Sequence, residues 1–318
     1  MYKFLFTFAR NLSGKFMEQR KIATDSFRAW LLAARPKTLT GAAVPVMIGS
    51  ALAYVDAMEY EGDVFSWTAA ALCFLFAFIM QIDANFINDF FDFANGTDDN
   101  ETRLGPRRAC AMGWVKLDSM KRAIALTTCL ACIVGLPLVF DGGLEMIVVG
   151  VLCVVFCFLY TTHLSYLGLG DVLVLVFFGL VPVCGVDYVQ LHTCTWQVFT
   201  ASLACGLVID ALLIVNNFRD RYQDSAVGKD TLVVRIGEDA SLHLYLAVGV
   251  VPWLCGVVFW LNGHVLAFVL PTVYLVLHVF TYLKIKRIWQ GKALNLCLGE
   301  TARNIFVYGI CVTLGLLL

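Results

Sequence analysis

Apolar residues run along this chain in long stretches separated by short polar breaks, unlike the strict alternation of a half-buried strand or the narrow stripe of a soluble helix. A membrane-crossing helix needs about 20 predominantly apolar residues. Stretches of that order lie at 38–56, 67–88, 119–140, 144–160, 171–188, 196–216, 241–261, 264–283 and 302–318. The pattern predicts an all-α membrane protein of about nine transmembrane helices, with one transmembrane domain over residues 30–318 and little chain left for a soluble one.

Composition agrees, since 60% of the 318 residues are hydrophobic and only 15% are charged, against about 25% charged in soluble domains. The net charge of −1 averages over a very uneven distribution. Every Lys and Arg falls in the N-terminal arm (Lys3 to Lys37), 103–122, 219–235 or 284–303, while the alternate loops carry Asp56, Glu59, Glu61, Asp63, Asp141, Glu145, Asp187 and His192. By the positive-inside rule the basic loops are cytosolic, the N-terminus is inside and, with nine spans, the C-terminus is outside. Residues 1–29 interleave basic and apolar positions without the uninterrupted apolar core of a signal peptide. They are expected to form a basic amphipathic arm on the inner membrane surface. The 12 cysteines sit mostly inside spans, with no second Cys/His pair in a loop, which argues against a soft-metal or redox centre.

Two polar segments interrupt this picture. Asn85, Asn88, Asp89 and Asp92 follow the second span at i, i+3, i+4 and i+7, which is one helical face if helix continues through them. Asn217, Asp220 and Asp224 repeat the arrangement after the sixth span. An offset of 128 residues relates Asn88 to Asn216, Phe90 to Phe218 and Asp92 to Asp220. It predicts two pseudo-repeated halves around a central cytosol-facing cavity, with the acidic helix ends at equivalent positions. Carboxylates crowded there repel one another, and a divalent cation relieves the repulsion. Oxygen-only donors suit a hard ion such as Mg²⁺, which keeps waters and binds substrate phosphates.

Solvated helix ends would account for either segment alone; the matched pair, flanked by cations, favours a metal-diphosphate site. Those cations are Arg103, Arg107, Arg108 and Lys116 after the first segment, and Arg219, Arg221, Lys229 and Arg235 around the second. Arg offers phosphate a bidentate contact and Lys a point charge, although topology alone explains about half of them. No GxxxxGK[ST] occurs, so ATP is not implied, and no nucleic-acid partner is expected. Asp83 and Asp210, inside spans, are expected to be satisfied by neighbouring helices.

Several stretches resemble the UbiA-type intramembrane prenyltransferases, and within them the 1,4-dihydroxy-2-naphthoate branch. They are Ala34-Arg35-Pro36-Lys37-Thr38-Leu39, Asn88-Asp89-Phe90-Phe91-Asp92 with Gly96 and Asp98, Arg103-Leu104-Gly105-Pro106, Tyr166-Leu167-Gly168-Leu169-Gly170-Asp171, Asn216-Asn217 with Arg219, Asp220 and Asp224, Gly228-Lys229, and Thr301-Ala302-Arg303. The resemblance covers about residues 28–318. It implies a nine-helix enzyme of the bacterial inner membrane that transfers a polyprenyl chain from its diphosphate to 1,4-dihydroxy-2-naphthoate, with decarboxylation. By the same resemblance Asn88, Asp89, Asp92, Asp220 and Asp224 bind Mg²⁺-diphosphate. Arg35, Arg108 and Lys229 contact phosphate, Asn85 and Asn217 line the substrate site, and Tyr160 stands near the reacting carbon. The chain departs from the family at Gly96, at Thr162-His163-Leu164 after Tyr160-Thr161, and at Asp230, which bears on the acceptor. A 4-hydroxybenzoate acceptor therefore stays open, as does a quinone-binding module without catalysis. A CDP-alcohol phosphotransferase would need its DGxxAR motif, which is absent. A transporter would place its acids near mid-span.

Overall fold

A computed structural model describes residues 22–59, 64–96 and 103–318, and among these all regular structure is helical. The short helix α1 (Phe27–Ala34) leads into α2 (Leu39–Glu59), α3 (Trp67–Ala94), α4 (Leu117–Gly135), α5 (Glu145–Leu164), α6 (Gly170–Leu191), α7 (Trp196–Ala226), α8 (Glu238–Leu261), α9 (Val265–Ile288) and α10 (Leu294–Leu317). Seven of them, α2, α3 and α5 to α9, are long and apolar enough to cross a membrane. The other two expected spans coincide with α4 and α10, which carry charge in their length: Asp118, Lys121 and Arg122 in one, Glu300 and Arg303 in the other. The stretch expected at 119–140 is also interrupted. Pro137, which has no amide hydrogen to continue the ladder, separates α4 from a short helix at Leu138–Gly142.

Helix continues through both acidic segments, so α3 ends at Ala94 and α7 at Ala226, beyond the ends set by apolarity alone. The order of elements repeats near the 128-residue offset: α2 to α5 in the first half correspond to α6 to α9 in the second. Packing repeats with it, because α2 lies on α3 and α3 on α4, as α6 lies on α7 and α7 on α8. The halves join where α2 packs on α6 and α10, through a core that includes Val44, Ile48, Leu52, Val183, Val208, Tyr308 and Val312. Large apolar side chains also face outward, among them Leu126, Ile133, Phe140, Val148 and Phe280. In water such a surface would aggregate; in lipid it is solvated.

Residues 24–29, at the end of the expected basic arm, pack into the body. Thr24 and Asp25 hydrogen-bond to the backbone at Gly113 and Trp114, and the Asp25 carboxylate accepts from Lys116 N and Ser119 Oγ. Residues 1–21 lie outside the described residues.

With little hydrophobic drive between helices in lipid, close backbone approach at small residues takes over. A Cβ built on Gly179 of α6 would sit 2.5 Å from the Ser202 carbonyl oxygen and 2.9 Å from the Gly206 Cα of α7. Gly179→Ala is therefore expected to push these helices apart and cost about 1–3 kcal/mol, read as a lower melting temperature in detergent. Gly150→Ala, with nothing within 4 Å of its Cβ, serves as the unaffected control.

Candidate active site

The end of α3 presents four polar residues on one face, each held differently. Asn85, buried, donates to the Ala34 carbonyl and to Thr38 Oγ1, both at 2.9 Å, and so fixes the turn that carries Arg35. Asn88 Oδ1 accepts from Thr161 at 2.9 Å. Asp89, 1% exposed, accepts the backbone amides of Ala109 at 2.8 Å and Cys110 at 2.9 Å through its two oxygens. Asp92 is ion-paired with Arg108. The segment that follows thus folds back over the helix end that precedes it.

The end of α7 is built on the same plan. Arg219, 1% exposed, is paired with Asp220 and donates to Asn216 Oδ1 and Asn295 Oδ1, each at 2.8 Å. Asn295 in turn donates to the Leu104 carbonyl at 2.8 Å, and a Cβ on Gly105 would lie 2.7 Å from the Arg219 guanidinium. Residues 104–110 therefore touch both acidic helix ends, at Asp89 and Asp92 on α3 and at Arg219 on α7. Asp224 is 3.5 Å from Lys229 Nζ, and its Oδ2 is buried without a hydrogen-bond partner.

Arg35 faces the first acidic set. Burial, reinforced by neighbouring Arg108 and Arg103, pushes its guanidinium down to about 9, while Asp89 and Asp92 pull the other way. Its Nη2 is buried and has no hydrogen-bond partner among the described residues. At neutral pH the group stays charged, so a cation-rich pocket stands beside the carboxylates, which an anionic ligand would stabilise. At the rim, a cleft of about 270 Å³ is lined by Arg103, Arg107, Lys292 and Asn295 among others.

Tyr160 opens a π-helical turn at Tyr160–Leu164, and a second occupies Val176–Leu180. Such turns cluster at functional sites because the extra residue re-aims a side chain. Tyr160 lies within electrostatic reach of Asp92 and Asp224, and also of Asp171 and Asp210. The next residue, Thr161, ties this turn to the first acidic end through Asn88.

Among the described residues no three His, Cys, Asp or Glu side chains stand close enough to hold a metal by themselves. The donor set at the helix ends nevertheless fits a hard cation: carboxylate and amide oxygens, one carboxylate oxygen buried and unpaired. Asn217 is buried on the same face as Asp224. Arg221 and Arg235 serve structure instead. Arg221 binds Glu238 and the Trp289 carbonyl and stacks on Phe218 and Tyr222, whereas Arg235 joins Asp230 to the Leu167 carbonyl.

Sequence reasoning passed over Asn295, a lone polar residue with no motif around it. It counted Arg219 among the cations without seeing that Arg219 ties the second acidic end to residues 104–105. Asp83 is satisfied by Thr127 and Thr128 on α4, at 2.5 and 2.7 Å, as expected of an intraspan acid with neighbours. Asp210 is not: its Oδ1 is buried without a hydrogen-bond partner.

Comparison with known proteins places this arrangement. Residues 42–295 match the UbiA prenyltransferase family. The 1,4-dihydroxy-2-naphthoate octaprenyltransferase of Escherichia coli is 38% identical over 220 residues, 66% of this chain and 69% of that protein. Solved structures share the fold: a UbiA homolog from Aeropyrum pernix K1 at TM-score 0.65 and 13% identity, covering 87% of this chain and 96% of that one. Another, a UbiA homolog from Archaeoglobus fulgidus bound to GPP and Mg²⁺, aligns at TM-score 0.59 and 15% identity over 90% of this chain and 99% of that one.

Proposed function

The chain belongs to the UbiA prenyltransferase family, and from that premise we propose that it transfers a polyprenyl chain from polyprenyl diphosphate to 1,4-dihydroxy-2-naphthoate, with release of diphosphate and loss of the carboxylate as CO₂, to give demethylmenaquinol. The bridging of both acidic helix ends by residues 104–110, with the Tyr160 turn tied to the first of them through Thr161 and Asn88, carries the reading. The similarity to naphthoate octaprenyltransferases supports the choice of acceptor.

In this reading Asn88, Asp92, Asp220 and Asp224 hold Mg²⁺, with Asn217 beside them. The bound cation neutralises the diphosphate and stabilises it as a leaving group. Asp89 is reserved for the two amides it already accepts. Arg35, Arg108 and Lys229 grip the phosphate oxygens, and Arg108 exchanges its partner Asp92 for phosphate as the ligand enters. Asn85 keeps the Arg35 turn in place. As the bond between the allylic C1 and the diphosphate oxygen weakens, these fixed cations lower the energy of the departing charge, which is the largest kind of catalytic effect such a site offers. Tyr160 lines the side of C1 that the ring carbon attacks, and the apolar helices keep water from the allylic cation while accommodating the isoprenoid tail. The acidic ends lie on the basic-loop side, so the diphosphate enters from the cytosol of a bacterial cell whose inner membrane holds the protein.

Purified protein given Mg²⁺, 1,4-dihydroxy-2-naphthoate and a polyprenyl diphosphate is expected to yield prenylated naphthoquinol by chromatography, and none from 4-hydroxybenzoate. Prenylation of the benzoate instead would move the acceptor to the other branch. Product from neither would remove the enzymatic reading.

A further inference from the structure

Two buried carboxylates take no part in the diphosphate site. Asp171 opens α6 and is 7% exposed; Asp210 lies midway along α7 and is 3% exposed. One oxygen of each, Oδ1, is buried and has no hydrogen-bond partner among the described residues. Asp171 accepts its own backbone amide, and the helices that carry the two acids pack on each other. Asp83 shows how this fold ordinarily settles an acid inside a span, with two threonine hydroxyls on one carboxylate. Nothing comparable serves Asp171 and Asp210.

Their position is specific. The glycine contact at Gly179 and Gly206 draws α6 against α7, and Gly170, next to Asp171, leaves room such that a Cβ there would meet the Tyr160 hydroxyl at 3.8 Å. Asp210, Asn217 and Asp224 fall at i, i+7 and i+14, one stripe of α7. Tyr160 stands within electrostatic reach of this pair on one side and of Asp92 and Asp224 on the other.

We propose that Asp171 and Asp210 form the subsite that accepts hydrogen bonds from the ring hydroxyls of a dihydroxylated aromatic acceptor, an extension that rests on the prenyltransferase reading above. Hydroxyl donors would supply the partners that the two Oδ1 atoms lack, and they relieve the cost of burying two acids together. The acceptor's own carboxylate turns away from these acids toward the basic mouth, and the ring is oriented by both contacts. The pair acts as a specificity element: a site built to hydrogen-bond a hydroxyl rejects the analogue that lacks it.

The test is equilibrium binding of 1,4-dihydroxy-2-naphthoate and 1-hydroxy-2-naphthoate to the full chain in lipid nanodiscs, for wild type, Asp171→Asn, Asp210→Asn and Asp210→Leu. Wild type is expected to favour the dihydroxylated ring by about ten- to hundredfold, and each variant to lose most of that preference. Binding of inorganic pyrophosphate with Mg²⁺ should stay within about twofold, a split that a merely structural role would not produce. Wild type that binds both naphthoates equally overturns the subsite whatever the variants do. Variants that keep the preference overturn it while the functional reading stands, and wild type that binds Mg²⁺-pyrophosphate but neither naphthoate removes the subsite together with the choice of acceptor.

Discussion

Asp92→Ala and Asp220→Ala each lower turnover by about a hundred- to thousandfold, measured by product chromatography at saturating substrates. The expectation follows from where the two carboxylates sit. They come from different halves of the repeat, on α3 and α7, and each already holds a cationic partner at the mouth of the site. On the proposed function, a diphosphate clamped from two sides would lose transition-state stabilisation when either carboxylate is removed. The folding control is favourable for Asp220, since Arg219 keeps its hydrogen bonds to Asn216 and Asn295 when the carboxylate is gone. Asp220→Asn, which keeps an oxygen for the Arg219 guanidinium and removes the charge, should lose nearly as much activity with a melting temperature above that of Asp220→Ala. Turnover within tenfold of wild type in both alanine variants would remove these residues from the machinery.

Asp89→Ala is expected to give the largest loss of stability among the acidic positions, about 2–6 kcal/mol, because it leaves the amides of Ala109 and Cys110 buried without acceptors at about 1–3 kcal/mol each. The loss should appear as a lower melting temperature and, in the cell, as less folded protein. Asp89→Asn recovers only part of it, since its amide nitrogen meets one of the two N–H groups donor to donor. Asp92, one turn away and partly open to solvent, should cost much less stability and far more activity. The two neighbours thus separate a fold-holding carboxylate from a ligand-holding one. An Asp89→Ala protein that melts like wild type yet is as inactive as Asp92→Ala would reverse the assignment.

Much of the architecture was legible because lipid imposes a simple rule on sequence: apolar length sets helices and basic residues mark one side. The rule weakened where charge enters a helix. α4 and α10 carry Lys121, Arg122, Glu300 and Arg303, so they fall short of the apolar criterion that α2, α3 and α5 to α9 meet. The acidic faces on α3 and α7 could be read from helical spacing, since Asn88 and Asp92 need only a continued helix to share a side. What spacing could not reveal was which groups were already committed. Asp89 and Asp92 look alike in sequence, but one binds backbone and the other an arginine, a difference made by a loop that returns from beyond position 103. Asn295 was invisible for the same reason: its partners, Arg219 and the Leu104 carbonyl, are remote in the chain. Asp171 was seen only as part of a resemblance, because its relation to Asp210 exists through the packing of α6 on α7 and not through any local pattern.

The ion pairs Asp92–Arg108 and Asp220–Arg219 give the resting protein the character of an ion exchanger charged with its own counter-ions. On the proposed function, loading would swap internal partners for external ones, both carboxylates to metal and the Arg108 guanidinium to phosphate. Unloading would run the swap backward: Arg108 has Asp92 waiting, so the spent diphosphate would leave a site able to neutralise itself at once. Affinity is moderated by the same exchange, which suits a catalyst that must let go of a highly charged product as readily as it takes up its substrate.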